Sequence, residues 1–501
     1  MLKNYILTTL RNIRKHPGHF AINVTGLSLG MAVFIFIVQF VGFESRYDNF
    51  HEGPIYRIAT KRYAHNELIN ENAASMPPLA PLISENIAEI DEITRIYNDG
   101  NCVVSSDETG ELRVFDEDKA YYADGNFFKV FNFKLINGTP ESALNGTRKM
   151  AISESTAKKY FGSAGSAFGK TLKVTGQVEV EYEVSGVFED APLNSHMKPD
   201  IIFSFITYLD VVHPDWPVRV NWVWNDFPTY MKTDGNPVEL EEKINSLAQK
   251  TWEKQYKAAD VNYEFFLQPI EDIHTRSNLF NEFEQNTDKA ILNLLIWISI
   301  ITLVVAWINY VNLATARALE RAREVGVRKA IGAHRHNLLR QFFTEATITN
   351  AISITLSIAL LFALKDGLQR WIGISFPLVA DRVFIAAILI LVAGGILAAL
   401  YPAYMMSGFS ITEVLKGKIQ SRPGRISIRK ALVLVQFIVA PVMIGGTYLI
   451  FKQTEHLVDR DLGVNKDQVL VVKAPRVDAG NMVDKFDRFK FNVEESSNVN
   501  A

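Results

Sequence analysis

The chain has 501 residues, enough for two or three domains, and a formal net charge of −3. That slightly acidic balance excludes a generally nucleic-acid-binding surface, and the single cysteine, Cys102, excludes a disulfide framework. Mean hydropathy is near neutral, yet the apolar residues gather in a few long blocks, which excludes a chain that is water-soluble throughout.

In chain order, residues 1–19 form a basic N-terminus with Lys3, Arg11, Arg14 and Lys15. The uncharged block 20–43 follows. It is too long for a cleavable signal peptide, and no small-x-small cleavage site follows it before Glu44, so it reads as a retained anchor, span 1. Gly26 and Gly30, four apart and flanking Ser28, predict close packing against another span, because small residues let helices approach in lipid.

Residues 44–289 are polar and mixed in pattern. IYRIATKRY (55–63) has strand composition, and 81–97 has apolar residues at helical spacing. From about 101 to 205 short β-like runs (LRVF, KLINGT, KTLKVTG, VEYEVSGVF) alternate with Gly and Asn turns. Residues 238–256 again read as a helix, and VNYEFFLQPI (261–270) as a strand. This order predicts an α+β domain: a split α/β subdomain interrupted by a β-rich one. AGSAFGKT (164–171) fits the loose form of a phosphate-binding loop. It runs into a β-hairpin pattern rather than a helix, and no later strand ends in magnesium-binding carboxylates, so it reads as a turn. Glu271, Asp272 and His274 lie too close together in sequence to surround a metal, and read as a solvated loop. Trp216, Trp222 and Trp224 read as core packing rather than a ligand patch. No Ser/His/Asp or Cys/His arrangement stands out, and no enzymatic activity is expected.

Four further spans are predicted: 290–313, 342–364, 383–406 and 431–451. Arg317, Arg321, Arg323, Arg328, Lys329, Arg335 and Arg340 lie between spans 2 and 3. Lys416, Lys418, Arg422, Arg425, Arg429 and Lys430 lie between spans 4 and 5, in the linker 407–430. With alternating spans, all the basic clusters fall on one side, the cytoplasm by the positive-inside rule, and 44–289 falls outside. Glu345 begins span 3, where it reaches the interface; no charge further along the spans continues a relay. Without an inward polar lining, the spans argue for mechanical transmission rather than a pore.

The segment 314–341 contains ERAREVGVRKAIGAH, basic and helical, with Gly326 and Gly332 placed to bend or break it. The residues by themselves leave two readings open: a cationic loop lying on anionic headgroups, or a docking element whose apolar edge is Val325, Val327 and Ile331. The basic entry to span 5, RISIRKALVLVQF, repeats that to span 1, LRNIRKHPGHF. Residues 452–501 therefore read as the start of a second external domain, and the chain as an early-terminated version of a longer protein.

ADGNFFKVFNFKLINGTPESAL (123–144), MAISESTAKKYFG (150–162), FGKTLKV, VSGVFEDAPLNSHMKPD (184–200) and QPIEDIHTRS resemble, in order, the extracytoplasmic core domain of MacB-type ABC transporter permeases. The N-terminal GLSLGMAVFIFIVQFVGFESRYDNFHEGPIYRI is similar to the form common in Bacteroidota. ERAREVGVRKAIGAHRHNLLRQFFTEA (320–346) and YPAYMMSGFSITEVLKGK (401–418) resemble the FtsX-like permease domain, placed here at 290–406. Longer members of the family continue with a second external domain and three more spans. The resemblance implies a multi-pass inner-membrane permease, N-terminus cytoplasmic and large domain periplasmic, that couples to a separate cytoplasmic ABC ATPase. That subunit would bind the ATP, so this chain holds no cofactor. On this sequence the coupling segment matches Glu324, Val325, Gly326, Arg328, Lys329, Ala330, Gly332 and Ala333. The other implied partners are the bilayer, a second permease chain or half, and a periplasmic or outer-membrane protein, with no nucleic acid. The work implied is efflux of a peptide, drug or lipid-linked cargo; the alternative is a scaffold that regulates a cell-wall hydrolase or sensor outside.

Overall fold

The computed structural model describes residues 2–100, 102–107, 112–176, 178–256, 261–373, 376–408, 428–459 and 482–494. Lys416, Lys418, Arg422 and Arg425, and most of the tail read as a second domain, lie outside the described residues. The chain divides into two compact units, Met1–Phe43 with Ala290–Val469, and Glu44–Lys289 with Leu470–Ala501.

In chain order the elements are α1 (Leu2–Lys15), α2 (Pro17–Glu44), β1 (Ile55–Ala64), β2 (Glu67–Asn72), α3 (Leu79–Asn86), β3 (Glu92–Tyr97), β4 (Cys102–Ser106), β5 (Arg113–Glu117), β6 (Ala120–Ala123), α4 (Phe127–Val130), β7 (Leu135–Asn137), β8 (Lys149–Ser153), α5 (Glu154–Phe161), β9 (Thr171–Thr175), β10 (Glu179–Phe188), β11 (Ile201–Ser204), α6 (Phe205–Thr207), β12 (Thr229–Lys232), α7 (Pro237–Tyr256), β13 (Val261–Pro269) and α8 (Ile270–Arg276). The helices α9 (Lys289–Glu320), α10 (Ala322–Ala330), α11 (Arg335–Ile372), α12 (Arg382–Ser407), α13 (Ile428–Asp459) and α14 (Met482–Glu494) complete it.

The second unit is built on one sheet in the order β13-β1-β12-β3-β6-β11-β8-β10-β9-β4-β5, with β2 beside β1 and β7 beside β10. Strands from the two ends of the segment, β1, β3, β12 and β13, make one half, against which α3 and α7 bury Leu79, Ile83, Leu240 and Ile244. The intervening strands make the other half, around Tyr160, Tyr182, Phe203 and Phe227. The split and β-rich parts expected from the sequence thus share a sheet, joined where β3 pairs β6 at Ile96↔Ala123 and Tyr97↔Tyr122.

The helix expected over 81–97 is corrected. Only α3 is helical there, and EITRIY forms β3, buried between β12 and β6. The β-branched Ile93, Thr94 and Ile96 suit a central strand, and this pairing outweighs the helical spacing.

Charge inside this unit is paired. On β1, Arg57 is fully buried and donates to Glu282, to Gln268 Oε1 at 2.6 Å and to Ser277 Oγ at 2.9 Å. Burial alone would push the Glu282 carboxyl up; the Arg57 guanidinium and the Ser277 hydroxyl hold it below its ordinary range. Asp48, in a left-handed conformation (φ 61°), accepts from the His196 amide and lies 2.9 Å from His196 Nδ1. His196 Nε2 in turn meets the Tyr230 hydroxyl at 2.9 Å. His51 accepts the Asn132 amide at Nδ1 (3.1 Å), so its proton sits on Nε2, 3.9 Å from Asp48. Burial lowers its pKa from 6.5 to about 4, against the pull of Asp48.

Two predictions follow from these buried groups. Glu282→Ala would leave the Arg57 charge uncompensated, and thermal unfolding of the purified chain should show a loss of about 3–5 kcal/mol. The unfolded chain takes up a proton near pH 6.5 that folded His51 refuses until about 4, so stability should fall as pH drops through that window, by up to about 3 kcal/mol. His51→Gln should flatten the fall, read from unfolding midpoints across the same pH range.

Candidate functional site

Among the described residues, five helices are long and apolar enough to cross a membrane: Pro17–Glu44, Lys289–Ala316, Arg335–Trp371, Arg382–Ser407 and Lys430–Asp459. Between the second and third, the segment read as a coupling loop is almost wholly helical. The second spanning helix runs on to Glu320, the chain turns at Arg321, and α10 follows directly. Gly326 does not break it; it is a buried mid-helix residue. The break comes at Gly332, whose φ of +102° is open to glycine and strained for side-chain-bearing residues. Its N–H donates to Lys329 O and that of Ala333 to Arg328 O, both at 3.0 Å, closing the end of α10 before α11 starts at Arg335.

The apolar edge expected from Val325, Val327 and Ile331 is divided by the fold. Val325 is 2% exposed and packs with Leu338 and Phe342 of α11 and Ala403 and Met406 of α12. Val327 and Ile331 are 52% and 82% exposed. The charged positions are tied down: Arg328 Nη2 pairs with Glu324 at 2.6 Å, Arg328 Nη1 donates to Gln341 Oε1 at 3.1 Å, and Lys329 Nζ donates to Ser407 O at the end of α12 at 2.8 Å. Ala330 is exposed and Ala333 half-buried. Thus Glu324, Val327, Arg328, Ala330 and Ile331 form the outward face of α10, and Val325, Gly326 and Lys329 fasten it. Beside it, Tyr5, Arg328, Ile331 and Gln341 line an open cleft of about 390 Å³.

A node that the sequence reading missed lies behind α10. Glu345 accepts from Arg321 Nη1 at 3.1 Å and from the Asn12 side-chain amide of α1. Arg321 also lies 3.6 Å from Glu324 and over the Phe342 ring. Asn12, Asn23, Tyr310, Arg321, Glu345 and Thr349 line a cavity of about 60 Å³. Its signal was one carboxylate at the head of an apolar run, which a position rule assigns to the interface. The expectation of spans without an inward polar lining is also corrected: Gln341, Thr349, Asn350, Ser353 and Ser357 are buried on α11, in one stripe with Glu345.

Close packing involves glycines on two spans. A Cβ on Gly30 would lie 2.7 Å from Ala306 Cβ on α9, whereas one on Gly26 would meet only Asn309 Nδ2 at 3.6 Å. On α12, Gly394 gives room to the Trp307 ring and Gly395 to Asn350.

The remaining motifs are structural. Thr171 begins β9, the Gly169 amide donates to Val184 O at 2.8 Å, and AGSAFGKT leads into a strand with no helix after it. EDIHT is helical, in α8, rather than a solvated loop. His274 is buried there, 2.7 Å from Glu44 Oε2 and stacked on Tyr47. Of the tryptophans, Trp222 is buried, Trp224 is half-buried against Phe227, and Trp216 is half exposed, stacked on His213.

The five helices, and the large sheet domain inserted between the first two, define a multi-pass membrane protein. Residues 20–236 match the MacB-like periplasmic core domain, and residues 296–411 match the FtsX-like permease C-terminal domain. The chain belongs to the MacB/FtsX-like ABC transporter permeases. It is 24% identical over 304 residues, 60% of this chain and 70% of the relative, to the ABC transporter permease YvrN of Bacillus subtilis. It is 36% identical over 124 residues, 24% of this chain, to the macrolide export ATP-binding/permease protein MacB of Shigella boydii. It is 24% identical over 347 residues, 67% of this chain, to the pyoverdine export ATP-binding/permease protein PvdT of Pseudomonas syringae. The match spans 18% of the MacB relative and 47% of the PvdT relative.

Gly30→Leu should force α2 off α9 and lower the unfolding midpoint of the solubilised chain by the equivalent of about 1–3 kcal/mol. Gly26→Ala, with ordinary contact distances, should leave the midpoint unchanged.

Proposed function

We propose that this chain is the permease subunit of an ABC transporter and that the outward face of α10 receives a separate cytoplasmic ATPase, which binds the ATP. The N-terminus and α10 lie in the cytoplasm of a plasma-membrane protein, and the sheet domain lies outside, as the distribution of basic residues favours. The observation that carries this reading is the division of α10: Val325 is sunk among α11 and α12, while Val327 and Ile331 stand in the open. A helix that merely satisfied the charge rule would need neither an anchor nor an exposed apolar pair. ATP binding would move the ATPase surface, and α10 would pass the displacement through Val325 to α11 and α12. The chain responds only as far as the ATPase states bind α10 differently. Export is favoured by the names of two relatives, macrolide export for MacB and pyoverdine export for PvdT. The cargo class would be a peptide, drug or lipid-linked molecule.

Arg328→Glu, or Ile331→Asp at the most exposed apolar position, should weaken the ATPase complex by roughly tenfold, read from the yield of the subunit co-purified with the tagged chain. An undiminished yield in both variants would remove α10 as the docking face. Lys170→Ala should leave nucleotide hydrolysis by the complex unchanged, because the AGSAFGKT turn has no part in it.

A further inference from the structure

The helix α1 is absorbed by neither the spans nor the proposed docking face. One side of it is bonded to the bundle: Thr9 is buried, Asn12 donates to Glu345, and Tyr5 lines the cleft with Arg328 and Gln341. The other side is open. Ile6, Leu7 and Leu10 are 39%, 44% and 47% exposed, and beside them Arg11, Arg14 and Lys15 are exposed too. On the helix surface Ile6 and Leu10 form one row, and Leu7, Arg11 and Arg14 form the next, so apolar and cationic side chains share a face. The helix has no acidic residue. It ends at Lys15; His16 and Pro17 break it, and the uncharged part of span 1 starts at Phe20. The four residues between them cannot carry α1 far from the leaflet into which that span enters.

We propose that the open face of α1 is a lipid-binding surface seated in the headgroup layer of that leaflet, specific for anionic phospholipid. Ile6, Leu7 and Leu10 enter the acyl boundary, and Arg11, Arg14 and Lys15 extend to the phosphates, their aliphatic stems lying along the apolar row. The occupant is a lipid surface rather than a protein because a cationic row with interleaved leucines, two turns from a spanning helix, matches a negatively charged interface in both charge and depth. The seat has a consequence for the proposed coupling. The bonded side of α1 ends on Glu345, which also holds Arg321 at the head of α10, so the depth of α1 in the leaflet sets the position of the coupling helix. This consequence rests on the reading of α10 as the ATPase face; the lipid contact does not.

The test uses the full chain with Cys102→Ser, reconstituted in nanodiscs of phosphatidylcholine alone or with a quarter phosphatidylglycerol. A nitroxide is placed singly at Leu7→Cys or Leu10→Cys, with Thr9→Cys as the protein-facing control. With phosphatidylglycerol present, the labels at 7 and 10 should relax more with oxygen than with a water-soluble nickel chelate, as in the acyl boundary. The triple variant Arg11→Gln, Arg14→Gln, Lys15→Gln should reverse that preference and lose the dependence on phosphatidylglycerol. Because a charge variant could act through folding, Leu7→Ser with label at Leu10→Cys keeps all three cations and should also raise the label towards water. Equal access of the chelate to both labels in both lipids would overturn the proposal. So would protection that appears only when the ATPase is added, which would make this face part of its dock, or dipolar broadening that grows with chains per disc, which would make it a contact between copies. In a second arm, phosphatidylglycerol should stimulate hydrolysis by the ATPase complex several-fold in the unlabelled chain and not in the triple variant. Absence of stimulation alongside correct label depth would sink the coupling consequence and the reading of α10, and leave the lipid seat standing.

Discussion

In hydrocarbon there is no water to satisfy a polar group, so each one carried by a spanning helix must find its partner within the protein. The membrane unit is organised around this constraint. Glu345 is held by Arg321 and Asn12, Gln39 donates to Asp381 at 3.1 Å, and Asn312 donates to Gln436 at 3.1 Å. On α11, Thr349, Asn350 and Ser353 bond back to carbonyls one turn earlier in the same helix. The helices also approach closely, with Gly30 giving room to Ala306, Gly394 to the Trp307 ring and Gly395 to Asn350. The result is that α1, the joint between α9 and α10, and the head of α11 meet at one ionic contact, which makes α10 part of the bundle rather than an appendage.

The sheet domain solves the same problem by a different route. Arg57, Asp48 and His196 are buried and Glu282 half-buried; Arg57 is paired with Glu282 and Asp48 lies against His196 within the domain, where an unpaired charge would be severely destabilising. The sheet is continuous through β3 and β6, so its two halves are linked by backbone hydrogen bonds as well as by side-chain packing. A continuous sheet suits the mechanical role proposed for the chain better than a set of loosely joined parts would.

Much of the architecture was legible in advance because it depends on local composition. The five apolar blocks, the strands at 55–64 and 261–269, and the helix at 237–256 each announce themselves within a short window. The turn AGSAFGKT was separable from a nucleotide site because the alternating residues that follow belong to a hairpin. What failed was the segment 81–97, where helical spacing and strand-forming residues overlap and only the pairing of β3 between β12 and β6 settles the matter. At the candidate site, Gly332 was readable as a helix end and Gly326 was misread as one. A glycine at a terminus and a glycine packed inside a helix look alike until the neighbouring helices are in place.

By itself the sequence determined how many helices are able to cross a membrane, where the basic charge lies relative to them, and which family the chain belongs to. These are properties of residues close together along the chain, and hydropathy and charge read them directly. Only the tertiary structure decided that Val325 points inward while Val327 and Ile331 point outward, that Glu345 is bonded to Arg321 and Asn12, and that one side of α1 is left open. Each of these depends on which residues, distant in sequence, are brought against a given helix face, and no periodicity within that helix carries the information.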